Sequence, residues 1–146
     1  MSAPLYTIDV LRLAASIPHQ ARLANPMATS EKRSAVCGSR VTVDVDVVEG
    51  RVAELGLAVH ACALGQASAS LMAAHAIGRT PGELAEVRDA LAAWLAGAGD
   101  APRWPGLDIF AAALPHHARH AAIRLAFDAV AEASAAAETP ALRRAG

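Results

Sequence analysis

The feature that most constrains the fold is a pair of alternating segments joined by a short turn. Residues 40–48 read RVTVDVDVV, and residues 51–60, RVAELGLAVH, alternate again after Glu49-Gly50. A period of two is typical of strands with one buried face, and a glycine turn between them favours an antiparallel hairpin over residues 40–60. The predicted buried positions are Val41, Val43, Val45, Val47, Ala53, Leu55, Leu57 and Val59.

The rest of the chain predicts helices. Apolar residues at helical spacing indicate a leading helix within residues 1–15 and a helical part over 62–136, in which the last helix starts at Pro115 and ends near Ala136. Residues 16–36, with their prolines, asparagine and serines, predict a loop, and residues 137–146 a frayed tail.

The order helix, hairpin, helices argues against a parallel sheet wound on both faces. A chain of 146 residues is long enough to form one core. We therefore expect a single α+β domain over residues 1–146. In it, about five helices pack on one face of a small antiparallel sheet. The hairpin forms this sheet, and a short edge strand could be added to it.

Composition narrows the function classes. The formal net charge of −1 gives no general affinity for nucleic acid or an anionic membrane. Two cysteines are too few for a disulfide-stapled secreted domain, no cationic leader precedes a long apolar stretch, and charged or polar residues interrupt every apolar run. The expectation is a cytoplasmic protein without a membrane span. No feature requires an oligomer.

The sequence carries no motif of an enzyme with its own turnover. A nucleophile elbow, a phosphate-binding glycine loop and a paired-carboxylate site are all missing from it. Asp44 and Asp46 resemble a pair of catalytic carboxylates only when the strand around them is ignored. Because they alternate with buried valines, we interpret them, with Arg40 and Thr42, as the solvated face of the sheet.

The predicted hairpin brings the two cysteines near each other. Cys37 precedes the first strand and Cys62 follows the second, so both lie at the same end of the sheet. Cys62 also falls at the start of a helix, whose free N–H groups and dipole favour a thiolate, the form that binds metals and attacks sulfur. The alternative is that both cysteines are small buried apolar residues.

Histidines could supplement these thiols. His116 and His120 are four residues apart on the predicted last helix and share its inward face with Ile123 and Phe127. Imidazoles at that spacing can chelate zinc or iron together with thiolates. His60, two residues before Cys62, is a further candidate. The alternative for all three is an exposed or hydrogen-bonded side chain.

Two segments and the hairpin between them carry a family resemblance. The segments AVCGS at residues 35–39 and ACALGQASASLM at residues 61–72 resemble the U-type iron-sulfur cluster assembly scaffolds, IscU, SufU and the N-terminal part of NifU. The resemblance covers most of the chain and implies a SufE/NifU-like fold. In that family three cysteines and an aspartate hold zinc or a nascent [2Fe-2S] cluster and accept sulfur from a cysteine desulfurase.

By this resemblance Cys37 and Cys62 match the first two cysteines, Leu114-Pro115 matches the Leu-Pro start of the last helix, and His120 matches the histidine that precedes the third cysteine. Ser39 stands where the family has aspartate, and Ala121 where it has the third cysteine. The implied metal ligands are Cys37, Cys62 and His120, with Ser39, His116 and His60 as auxiliary candidates.

The resemblance implies a scaffold that transiently binds iron or a [2Fe-2S] cluster. It would accept sulfur on Cys62 or Cys37 from a cysteine desulfurase and pass clusters to apo acceptor or carrier proteins. Two alternatives remain open. One is a persulfide carrier assisted by zinc, and the other is a metal-free interaction protein that has lost the site.

Overall fold

The computed structural model describes residues 4–138, which form one three-stranded antiparallel sheet with helices against it. The elements in chain order are α1 (Ile8–Ala15), β1 (Ala28–Arg33), β2 (Arg40–Val48), β3 (Arg51–His60), α2 (Ala63–His75), α3 (Pro81–Leu95) and α4 (His120–Glu138), with 3-10 helices at Leu107–Ala113 and His117–Arg119. The predicted α+β class is confirmed. No helix among residues 4–138 has the length and apolar character needed to cross a membrane.

The predicted hairpin is formed by β2 and β3. Arg40 pairs with His60 at its open end, and the alternate valines of β2 are buried beneath the helices. A register shift after Asp46 places an extra residue in β3, so Val52 is buried and Ala53 is exposed. The prediction that Ala53 is buried is wrong, because the bulge reverses the alternation at that point.

The segment 16–36, predicted as a loop, contains the edge strand β1. This strand pairs antiparallel with β2, in the order β1-β2-β3. Its sequence ATSEKR has no apolar alternation, because most of its side chains face solvent at the edge of the sheet. The loop prediction is therefore wrong for residues 28–33.

The polar face of the hairpin is covered, not solvated as predicted. Asp44 is 0% exposed and Thr42 is also buried, whereas Asp46 is half-buried. The chain between α1 and β1 covers this face, where the Leu23 N–H donates to Asp44. It is also tied to the outer edge of β3, where the carbonyl of His19 accepts a hydrogen bond of 2.9 Å from the N–H of Leu57. A solvated face was expected because alternation alone does not show what covers a strand.

Asp44 is the centre of that covered face. Arg22 donates to both of its carboxylate oxygens, at 2.6 and 3.0 Å, the Leu23 N–H donates at 3.1 Å, and the Thr29 hydroxyl donates at 2.6 Å. Burial acts to raise the pKa of Asp44, but these hydrogen bonds and the charge of Arg22 outweigh it, so the pKa is lowered. We call Arg22, Leu23, Thr29 and Asp44 the Asp44 cluster.

The opposite face of the sheet holds the main core. Helix α4 packs on β1 and β2, α2 packs against α4 and β3, α1 lies on α2, and α3 lies on α4. Helix α2 is buried on nearly every side, and small residues along it let the neighbouring helices approach closely. The start of α2 is therefore held firmly at one end of the sheet.

The start of the last helix differs from the prediction. Pro115 and His116 lie in a turn, His117–Arg119 form a 3-10 helix, and α4 begins only at His120. The His116 N–H donates to the Ala113 carbonyl at 2.9 Å, which continues the preceding 3-10 geometry and delays the α-helix. Helix α4 then continues to Glu138, past the predicted end. Residues 139–146 of the predicted frayed tail lie outside the described residues.

Candidate functional site

Three segments meet at the end of the sheet where β1 stops and β2 starts. They are the β1–β2 turn, the β3–α2 junction and the turn before α4. Strand pairing joins the first two, because Arg40 pairs with Arg33 on one side and with His60 on the other. Close packing joins the second to α4: a Cβ placed on Gly65 would lie 2.8 Å from the Ala61 Cβ and 3.2 Å from the Ala122 carbonyl oxygen.

The β1–β2 turn, residues 34–39, presents Cys37 at the surface. The Ser34 N–H donates to the Ser39 carbonyl at 2.8 Å, and the Gly38 N–H donates to the Ser34 carbonyl at 2.9 Å. Gly38 has a φ of 72°, which residues with a side chain rarely adopt, so glycine is needed to close this turn. Cys37 is exposed, while the serines at both ends of the turn are buried.

The Cys37 thiol is set up to ionise. Its Sγ lies 3.0 Å from Ser39 Oγ, where the thiol can donate to the hydroxyl and the hydroxyl can donate to a thiolate. The pKa of Cys37 is lowered, first by the side chain of Ser39 and then by that of Ser34, against an opposing effect of burial. The Ser39 backbone and the charge of Arg119 add to the decrease.

Cys62 occupies the N-cap position of α2, as predicted. Its backbone is extended (φ −66°, ψ 171°), and its carbonyl accepts the first bonds of the helix, including one of 2.9 Å from the Gln66 N–H. Its side chain makes no capping hydrogen bond and is half-buried against the core. The thiol is thus held in place by packing and is not used to cap the helix.

The histidines are arranged differently from the prediction. His120 starts α4 and is half-buried, and its Nε2 lies 2.9 Å from the Ala113 carbonyl oxygen. A ring that donates from Nε2 keeps Nδ1 as an acceptor, which is the form that can bind a metal. His116 precedes the 3-10 helix, so the prediction that it shares a helix face with His120 is wrong. The side chain of His60 is exposed.

The donor atoms at this end fall short of a complete metal site. Within residues 4–138, no three His, Cys, Asp or Glu side chains are grouped so that they could hold a metal ion. Ala121 offers no donor atom, and Ser39 Oγ already lies against Cys37. A four-coordinate ion needs more than these residues supply. The ligand set of Cys37, Cys62 and His120 stays a prediction.

Two residues beside Cys37 were missed in the sequence. Ser34 Oγ is buried and has no hydrogen-bond partner of normal geometry, and Arg119, on the turn before α4, acts electrostatically on the Cys37 thiol. Neither residue carried a signal in the sequence. Ser34 lies opposite Ser39 because β1 ends at Arg33, and β1 was predicted as a loop. The position of Arg119 depends on the delayed start of α4.

Comparison with known proteins agrees with this architecture. A nitrogen-fixing NifU-like protein (N-terminal) from Brucella abortus is 39% identical, with 92% of this chain and 94% of that one aligned at a TM-score of 0.86. A candidate iron-sulfur cluster assembly scaffold protein for the SUF system from Fervidobacterium islandicum is 19% identical over 88% and 96% of the two chains, at a TM-score of 0.81, and shares the fold. No family model and no curated protein sequence matches the chain.

Proposed function

The chain belongs to the family of NifU-like N-terminal domains, and from that premise we propose that it is an iron-sulfur cluster assembly scaffold. The observation that carries the proposal is local. An exposed cysteine with a lowered pKa and a second cysteine at a helix N-terminus lie on segments that adjoin at one end of the sheet. Scaffolding needs such thiolates and no turnover chemistry, so the protein is a carrier and not an enzyme.

The cargo would be iron or a [2Fe-2S] cluster bound transiently. Soft thiolate sulfur is the preferred protein ligand of such clusters, which assigns the first two ligands to Cys37 and Cys62. His120 is the best remaining donor because its Nδ1 is available when Nε2 donates to the Ala113 carbonyl. Ser39, His116 and His60 are auxiliary candidates. An incomplete ligand set supports weak retention, which suits a protein that releases its cargo.

The proposed partners follow from the same role. Sulfur would come from a cysteine desulfurase, as a persulfide, and clusters would pass to apo acceptor or carrier proteins in the cytoplasm. The exposed position of Cys37 at the tip of a turn supports this, because a partner's sulfur can reach it without rearrangement of the core.

Anaerobic reconstitution with ferrous iron and sulfide tests cluster binding. Wild-type protein should develop the visible absorption of a thiolate-bound cluster. Cys37→Ala and Cys62→Ala should each abolish it, and His120→Ala should reduce it. His19→Asn is the matched control, because the His19 side chain is exposed on the segment between α1 and β1 and Asn tolerates its φ of 58°. A colourless wild-type protein would reject cluster binding.

A second candidate is a sulfur relay in which Cys37 or Cys62 carries a persulfide without a stable cluster. The lowered pKa of Cys37 and the shortage of metal ligands favour it. Mass spectrometry after incubation with desulfurase and cysteine should then show one added sulfur on a single cysteine. In this candidate zinc assists the thiolates, so metal analysis of the purified protein, with and without His120→Ala, separates the scaffold and the zinc-assisted relay from a metal-free interaction protein.

A further inference from the structure

The surroundings of Cys37 contain a hydroxyl group without a partner. Ser34 is 5% exposed, and its Oγ makes no normal hydrogen bond to any of the described residues. A buried hydroxyl left unsatisfied costs stability, so such groups are rare and call for an explanation. The turn hydrogen bond from the Ser34 N–H to the Ser39 carbonyl fixes Ser34 beside the cysteine, and its hydroxyl is close enough to affect the thiol.

Ser39 completes the arrangement from the other end of the turn. It is 3% exposed, and its Oγ is 3.0 Å from Cys37 Sγ. The sulfur atom therefore has one buried hydroxyl in contact and a second one close enough to act on it, though without a hydrogen bond of normal geometry. Arg119 supplies a positive charge and has no ion pair with residues 4–138.

We propose that Ser34 and Ser39 are positioning residues that hold the Cys37 sulfur and hydrogen-bond a sulfur atom added to it, with Arg119 offsetting the negative charge. This rests on the proposed function, because it concerns how that site accepts sulfur. The turn thus suits an anionic sulfur, because Ser39 offers a neutral hydroxyl at the position where, by the resemblance, the family has a carboxylate that would repel one.

The chemical step is a sulfur transfer between thiolates. The Cys37 thiolate attacks the terminal sulfur of a donor persulfide, a new S–S bond forms on Cys37, and the S–S bond of the donor breaks. The bonding pair leaves with the donor sulfur as a thiolate, and the transferred sulfur ends as the anionic end of a Cys37 persulfide. No oxidant or reductant is consumed. Two anions must meet, which is why nearby hydroxyl protons and a guanidinium accelerate the step.

The test uses inorganic polysulfide as a donor that needs no protein partner. Peptide mass spectrometry follows persulfide formation on Cys37, with Cys62 as the internal reference. Ser34→Ala and Ser39→Ala should each slow modification of Cys37 about threefold to tenfold, the loss expected for one hydrogen bond to a partly solvated anion. Ser34→Thr, which keeps the hydroxyl, should restore the rate. Ser134→Ala is the matched control, since Ser134 is a buried serine far along α4.

Arg119 has its own readout. Arg119→Gln should lower the ratio of Cys37 alkylation by anionic iodoacetate to that by neutral iodoacetamide about twofold to threefold, which a change in packing would not do. Equal polysulfide rates in wild type, Ser34→Ala and Ser39→Ala would overturn the proposal.

A parallel reaction with cysteine desulfurase and cysteine separates this proposal from the proposed function. If polysulfide modification depends on the serines but the desulfurase delivers no sulfur to the wild type, the positioning role holds and the assigned partner is wrong. If the desulfurase delivers sulfur equally to wild type and both serine variants, the positioning role is wrong and the scaffold role stands.

Discussion

The Asp44 cluster and the β1–β2 turn that carries Cys37 are two polar regions of the sheet, and they differ in whether their polar atoms have hydrogen-bond partners. Asp44 is fully buried and receives four hydrogen bonds from three residues. Cys37 is exposed and touches one hydroxyl, while a second hydroxyl nearby has no partner. Saturated polar atoms hold a fold together, whereas atoms short of partners are available for a ligand.

The largest effect should come from removing the centre of the saturated region. Asp44→Ala leaves Arg22, the Leu23 N–H and the Thr29 hydroxyl without their acceptor, and should lower the free energy of unfolding by about 2–4 kcal/mol. Urea denaturation measures it. Asp46→Ala, which loses one 2.8 Å bond from the Met27 N–H, should cost about 1 kcal/mol. Equal losses in the two variants would show that the cluster is not the support we describe.

The next effect tests the close approach of the covering segment. A Cβ on Gly56 would lie 2.5 Å from the Ala21 carbonyl oxygen and 2.8 Å from the Leu23 nitrogen, both backbone atoms. Gly56→Ala should therefore cost about 1–3 kcal/mol and loosen the cover over Asp44. Gly82→Ala in α3 is the matched control: its nearest atom would be 3.8 Å away, so unfolding should be unchanged or harder. If Gly56→Ala leaves the free energy of unfolding unchanged, the segment that covers Asp44 can shift freely.

The sequence predicted the parts of the fold that local pattern determines. The β2–β3 hairpin and the helix start at Thr80, which forms a full capping box with Glu83, follow from periodicity and capping residues. The position of strand β1 did not, because its sequence ATSEKR lies at a sheet edge and has no apolar alternation. The cover over Asp44 did not either, because it depends on contacts such as Arg22 to Asp44, which are 22 residues apart. A buried aspartate and a solvated one look the same when only alternation is read.

The same limit applies to the site. The positions of Cys37 and Cys62 followed from the hairpin, since antiparallel pairing fixes which residues share an end of the sheet. His116 was misplaced because the pattern predicts a helix from Pro115, whereas the chain forms a 3-10 turn before His120. A shift of one turn of helix changes which side chains face the cysteines, and no local signal marked it.

Acid should weaken the Asp44 cluster. The pKa of Asp44 is lowered in the folded state, so its carboxylate stabilises the fold above the unfolded pKa of about 3.9. That stability is lost as the pH falls below this value and through the folded pKa. The difference in unfolding free energy between pH 7 and pH 3 should therefore be smaller in Asp44→Asn than in wild type. This change in pH dependence should be smaller than the loss of unfolding free energy expected for Asp44→Ala.

Asp128 provides a control of opposite sign. Its pKa is raised by burial, against the nearby charges of Arg124, Lys32 and Arg88. A raised pKa means that this group favours the folded state at low pH and disfavours it as the pH rises through the folded pKa. Asp128→Asn should thus enlarge the difference between pH 7 and pH 3. If both variants move the difference in the same direction, the two carboxylates are not in the environments described.

The smallest effect distinguishes the two regions most sharply. Thr29→Val keeps the side-chain shape but removes the hydroxyl that donates to Asp44, and should cost about 1 kcal/mol. Ser34→Ala removes a buried hydroxyl that has no partner, so unfolding should be unchanged or harder by up to about 0.5 kcal/mol. Thermal and urea unfolding of both variants give the comparison. A loss in Ser34→Ala as large as in Thr29→Val would show that the Ser34 hydroxyl supports the fold. If Ser34→Ala leaves the free energy of unfolding unchanged but slows sulfur transfer to Cys37, the hydroxyl serves the chemistry of the site and not the stability of the fold.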